Sequence, residues 1–127
     1  MRVSHLDHFV LTVADIEATC SFYEAVLGLE RVQFGENRPG LRVGALRINL
    51  HQAGHELWPH AAKPLPGSAD LCIICNVAMD ELVAHLDRCR VGIELGPVER
   101  TGVQGAMMSV YIRDPDNNLI ELSVYPS

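Results

Sequence analysis

The chain has 127 residues, 48% of them hydrophobic, enough for one domain whose core buries about two-thirds of the unfolded surface. A net charge of -6 with no Lys/Arg cluster excludes the electrostatic footprint of a nucleic-acid binder and mildly favours a neutral or cationic ligand. No apolar run reaches the roughly 18 residues of a membrane span, and the opening Met1-Arg2-Val3-Ser4-His5-Leu6-Asp7-His8 has no secretory core, so a cytoplasmic location is expected.

Residues 5 to 13 alternate as a strand, with Phe9, Leu11 and Val13 in one apolar row and Leu6, His8, Val10 and Thr12 on the other face. Asp15 is suited to cap a helix in which Ile16, Cys20, Tyr23 and Leu27 form a buried stripe, and Gly28 is its natural stop. Strands follow near 29 to 35, 40 to 45 and 46 to 52, separated by Gly35, an Arg38-Pro39-Gly40 turn and Gly44. In the last of them Asn49 and His51 share a face opposite Ile48 and Leu50. Pro59, Pro64 and Pro66, with Gly54 and Gly67, make the link 53 to 68 a surface connection.

The same order then repeats. A strand at 69 to 77 sets Asp70, Cys72 and Ile74 against Leu71 and Ile73. A helix carries Leu82, Leu86 and Cys89 and stops at Gly92, before a strand Ile93-Glu94-Leu95. Strands at 105 to 113 and 118 to 125 are joined by the turn Asp114-Pro115-Asp116-Asn117. Two βαβββ modules, about 5 to 52 and 69 to 125, make the fold class α+β.

The four cysteines fall inside these elements, as buried reduced thiols do. Cys72 and Cys75 have a zinc-like spacing, but positions three apart on a strand face opposite ways and no second pair follows. The chemistry concentrates on the final strand, where Ile120, Leu122 and Val124 form the apolar row and Glu121 faces away. A carboxylate on so apolar a strand requires water, a cation or a raised pKa, and a metal ion is one natural partner.

The strand Leu6-Asp7-His8-Phe9-Val10-Leu11-Thr12-Val13 and the hairpin Asp114-Pro115-Asp116-Asn117-Asn118-Leu119-Ile120-Glu121-Leu122 together resemble the vicinal oxygen chelate superfamily of glyoxalases, extradiol dioxygenases, fosfomycin-resistance and bleomycin-binding proteins. Between them, Arg38-Pro39-Gly40, Ile48-Asn49-Leu50-His51, Pro66-Gly67-Ser68-Ala69-Asp70-Leu71 and Gly96-Pro97-Val98-Glu99-Arg100-Thr101-Gly102 are similar to the branch represented by glyoxalase domain-containing protein 5 and its bacterial relatives. The resemblance implies a curved mixed sheet around a cavity, helices outside, and a divalent metal held by His8, Asp70 and Glu121. A fourth position falls at Asn49, which His51 replaces or joins. Tyr111 takes a substrate-contacting position, so that Glu121, Tyr111 and His51 are the catalytic candidates.

Relatives that cleave catechols have histidine where Asp70 stands, and glyoxalases proper have glutamate where Asn49 stands. The resemblance thus points to a metal-dependent lyase, isomerase or dioxygenase with a small-molecule substrate, using manganese, nickel, iron, magnesium or zinc. Its other outcome is a metal-free binding protein of the bleomycin-resistance type. The resemblance further implies a symmetric homodimer. His5, His55, His60 and His85, at the terminus, in the linker or on the outer helix, carry no expected role.

Overall fold

The computed structural model describes residues 1–127, which divide into two compact units, Met1–Gly67 and Ser68–Ser127. Each carries a βαβββ module with its own four-stranded mixed sheet. No helix is long and apolar enough to cross a membrane.

In the first unit, β1 (His8–Val13) runs parallel to β4 (Leu46–Gln52), followed across the sheet by β3 (Arg38–Val43) and β2 (Glu30–Phe34). Helix α1 (Ile16–Leu27) begins where Asp15 accepts a hydrogen bond from the Ala18 amide at 3.0 Å. It ends at Gly28, whose left-handed φ of 65° lets its amide return to Glu24 and Tyr23. Cys20, Tyr23 and Val26 are buried on this helix, as are Leu11, Val13, Leu41, Ile48 and Leu50 on the sheet.

The polar groups tied to α1 identify the face it covers. Gln52 on β4 receives a hydrogen bond from the Ile16 amide and donates one to the Ala14 carbonyl. Arg31 on β2 bridges Glu17 and Glu24, each at 2.8 Å. Strand alternation therefore places Ile48, Leu50 and Gln52 toward the helix and Arg47, Asn49 and His51 away from it. His8 and Thr12 pair with Arg47 and His51, and Gly40 with Asn49, so these also lie on the face away from α1.

The second unit repeats the order with β5 (Asp70–Ile74), β8 (Leu119–Val124), β7 (Gly105–Arg113) and β6 (Leu95–Gly102), the β5–β8 pair being parallel. Helix α2 (Met79–Arg88) buries Leu82 and Leu86. The apolar rows Val110–Ile112 and Ile120–Leu122 pair across β7 and β8 and are wholly buried. Glu121, Tyr111 and Cys72 share the opposite face.

Three differences from the sequence reading bear on these elements. Arg38-Pro39-Gly40 opens β3 instead of forming a turn, and the reversal lies at Gly35 and Asn37, with φ of 54° and 60°. Pro39 stands opposite Gln33 in the β2–β3 ladder and just before the β3–β4 ladder, which starts at Gly40. The strand expected at 93 to 95 instead begins at Leu95 and runs to Gly102. It is an edge strand with a bulge between Leu95 and Val98, which accommodates Pro97. Helix α2 stops before Gly92, with Arg90 taking the left-handed conformation at φ 59°.

Of the cysteines only Cys20 is buried. Cys75 lies just beyond β5, Cys72 is exposed, Cys89 is half-buried, and all four are free thiols. The expectation of uniformly buried thiols is corrected because Cys72 projects from the polar face of its strand.

Candidate functional sites in the two units

In the first unit, His8 is exposed near the start of β1, and its Nδ1 lies 2.8 Å from Asp7 Oδ2. This hydrogen bond holds the Asp7 carboxyl below its ordinary pKa and, with Nδ1–H donating, leaves the Nε2 lone pair of His8 open, as in a carboxylate-oriented metal ligand. Asn49 is buried on the same face and accepts from Arg47 Nε at 2.7 Å. Its oxygen is thereby committed to a guanidinium.

His51 is only 8% exposed, and neither ring nitrogen has a hydrogen-bond partner. Burial, reinforced by the charge of Arg38, lowers its pKa, so the ring is neutral near pH 7. It lines a pocket of about 220 Å³ together with Phe34, Arg38, Asn49, His55 and Leu57. Arg38 and Arg47 both lie over the Phe34 ring, at 4.8 and 3.5 Å from its centre. His55, set aside on the sequence because it sits in the proline-rich link, thus joins the lining. Arg38 escaped notice because it was read as part of a turn. Only a strand at Arg38–Val43, with alternation counted from it, identifies its face.

In the second unit, Glu121 is fixed through one oxygen. Ser109 Oγ donates to Oε2 at 2.7 Å and Ser123 Oγ lies 3.3 Å from it, the two hydroxyls themselves being 2.6 Å apart. Oε1 has no partner. Cys72, directly opposite Glu121 in the β5–β8 register, lies 3.3 Å from Ser123 Oγ. Its thiol pKa is raised, chiefly by desolvation, so it is a protonated thiol near pH 7.

Asp70 pairs with Leu119, one row removed from Glu121 on the same face, and is exposed. Tyr111 pairs with Glu121 across β7 and β8, and its hydroxyl accepts from Arg100 Nε at 2.9 Å, leaving the phenolic proton free to be donated. Ser109, Ser123 and Arg100 were not singled out on the sequence. Alternation along the last strand puts Ser123 on the face of Glu121, whereas Ser109 is legible as its neighbour only once the β7–β8 register is known.

His8 and His51 therefore belong to the first unit, and Asp70, Tyr111 and Glu121 to the second. No group of three or more His, Cys, Asp or Glu side chains is arranged to hold a metal ion.

The family model described as Glyoxalase/Bleomycin resistance protein/Dioxygenase superfamily matches residues 5–122. The chain belongs to this superfamily. Virulence protein STM3117 of Salmonella typhimurium is 51% identical over 125 residues, spanning 98% of this chain and 87% of that protein. Glyoxalase domain-containing protein RDO1 of Mycosarcoma maydis is 46% identical, spanning 98% and 70%. The solved structure of an integron cassette protein from the mobile metagenome of V. cholerae superposes with a TM-score of 0.95 at 52% identity, covering 99% of this chain and 98% of that one. The superfamily's description covers both enzymes and resistance proteins. Membership therefore leaves the chemistry to the residues on the two faces.

Proposed function

We propose that this protein is a metal-dependent enzyme of the vicinal oxygen chelate type, acting on a small substrate through two adjacent oxygens, with His8, Asp70 and Glu121 as metal ligands. The observation that carries the reading is the state of Glu121. One oxygen is held by buried Ser109 while the other is free, on a sheet face away from the buried row Ile120–Leu122. His8 has the same half-engaged form, with Nδ1 on Asp7 and Nε2 open. One imidazole and two carboxylates fit a hard or borderline divalent ion, and the raised pKa of the Cys72 thiol argues against a thiolate site.

When bound, such an ion supplies Lewis-acid stabilisation of developing negative charge on the substrate oxygens. The chain's own groups do the rest. Ser109 and Asp7 orient Glu121 and His8. Tyr111, its oxygen held by Arg100, presents a proton toward substrate. Neutral His51 is able to accept one.

The donor set is completed, on this reading, when two copies pair as a homodimer. Val10 on the donor-bearing face of the first unit is 44% exposed, and Ile74 and Leu95 on that of the second are 45 and 46% exposed, apolar positions that association would cover. The reading extends to the finer resemblance with the branch of glyoxalase domain-containing protein 5, and to a cytoplasmic setting for its free thiols.

Metal analysis by plasma mass spectrometry on untagged protein tests the assignment. Near-stoichiometric metal in wild type, lost in both His8→Ala and Glu121→Ala, is the expected result. A wild type that stays empty after dialysis against manganese, nickel, iron, magnesium and zinc refutes it. The chain is then a metal-free binder of the resistance type.

A further inference from the structure

The pocket of about 220 Å³ in the first unit is built unlike the rest of this acidic chain. Its lining contains Arg38, His51 and His55 and no Asp or Glu. Arg38 makes no salt bridge, its one recorded interaction besides its field on His51 being with the Phe34 ring. A second guanidinium, Arg47, lies over the same ring and is held there by Asn49. His51, buried and within the fields of Arg38 and, more weakly, the Glu56 carboxylate outside the lining, has two ring nitrogens without partners.

A buried imidazole N–H with no acceptor is unfavourable by about 1–3 kcal/mol. Arg38 in the lining disfavours a cation there. An oxygen anion answers both features. It accepts from the His51 N–H and places a planar carboxylate against the Arg38 fork, a match of geometry as well as charge. Size narrows the class further. A cavity of about 150 Å³ holds a six-carbon ring, so this pocket takes a ligand of roughly eight to ten non-hydrogen atoms, its carbon skeleton against Leu57 and Phe34.

We propose that this pocket is a carboxylate-binding subsite for a short-chain organic acid, with Arg38 and His51 as its recognition residues. Its identity as a substrate subsite rests on the metal-dependent reading above, whereas binding of the carboxylate does not. The initial preference for neutral or cationic ligands, drawn from net charge, is thereby reversed locally.

The test is a titration of the full chain, stripped of metal with EDTA, by succinate, followed by calorimetry and by the imidazole resonances of protein labelled with ¹⁵N-histidine. Succinate is expected to bind saturably and to shift the ring nitrogens of His51. Binding should weaken by about tenfold or more in Arg38→Gln, equivalent to about 1.4 kcal/mol, and be unchanged in His8→Ala and in Arg113→Gln, whose arginine lies in the second unit. Uncharged succinamide should not bind, and inorganic phosphate should displace succinate only weakly.

An unshifted His51, an Arg38→Gln variant that binds as wild type does, or phosphate outcompeting succinate each overturns the proposal. The His51 shift is read in wild type, so a poorly folding variant does not remove the test. Loss of metal from His8→Ala with succinate binding intact separates this proposal from the metal assignment.

Discussion

Replacing Asn118 by alanine should destabilise the protein far more than a typical turn substitution, because this side chain ties the end of the β7–β8 hairpin to the head of β5. Asn118 is 2% exposed. Its Nδ2 donates to Asp114 Oδ2 at 2.8 Å and its Oδ1 accepts from the Ala69 amide at 2.9 Å. The first bond has a charged acceptor and contributes about 1.5–3 kcal/mol, and the second about 1 kcal/mol, with a further cost if the Ala69 N–H is left unsatisfied. The sum is about 3 kcal/mol, or about 12 °C in Tm for a chain of this length. Urea unfolding monitored by circular dichroism measures it as a fall in midpoint at unchanged slope. Asn118→Asp should be comparably harmful, since it keeps the acceptor for Ala69 but sets a second carboxylate against Asp114. A loss below about 1 kcal/mol in the alanine variant, or an aspartate variant as stable as wild type, would refute the clamp.

Ser109→Ala should leave the fold intact yet weaken metal retention by about 10- to 100-fold in chelator competition, since it releases Glu121 Oε2 from a 2.7 Å hydrogen bond; unchanged retention removes Ser109 from the site. Gly96→Ala should destabilise by more than about 2 kcal/mol, visible in thermal melts, because its Cβ would collide with the Ser109 carbonyl oxygen at a φ of 112°. Glu17 has its pKa lowered from 4.5 by its hydrogen bond to Arg31. A depressed carboxylate contributes stability that is present above its unfolded value and lost as pH falls through the folded one. Acid titration of stability below about pH 4.5 should therefore be shallower in Arg31→Gln than in wild type.

Much of the fold was legible because it depends on local rules. The αL stop at Gly28 and the Asp15 cap bound α1 as read, and alternation on β1, β4 and β8 separated His8, His51 and Glu121 from the apolar rows. Two of the misreadings concern prolines in strands. Prolines 39 and 97 look like strand breakers, yet both stand inside strands. Pro39 precedes the β3–β4 ladder, and Pro97 lies in an edge-strand bulge. Edge and register are properties of pairing, and a single strand's sequence does not contain them. The supports of the candidate site escaped for the same reason: Ser109 meets Glu121 only because β7 and β8 pair with Tyr111 opposite Glu121.

The terminal hairpin therefore has two separable roles. Asp114 accepts from the amides of Asp116 and Asn118 at 2.9 Å each, and Asn117 takes a positive φ of 67°, so Asp114-Pro115-Asp116-Asn117-Asn118 is a structural device that spends its polar groups on the backbone. Glu121, three residues beyond Asn118, keeps one oxygen unspent. The β5–β8 register set at Ala69 and Leu119 determines that Cys72 and Glu121 are neighbours. A slip of one residue would turn Glu121 into the buried row of Ile120 and Leu122. The Glu121 carboxylate owes its availability to the turn before it, so variants in that turn should alter metal retention in proportion to their effect on the β5–β8 pairing, whereas Ser109→Ala should lower retention with that pairing intact.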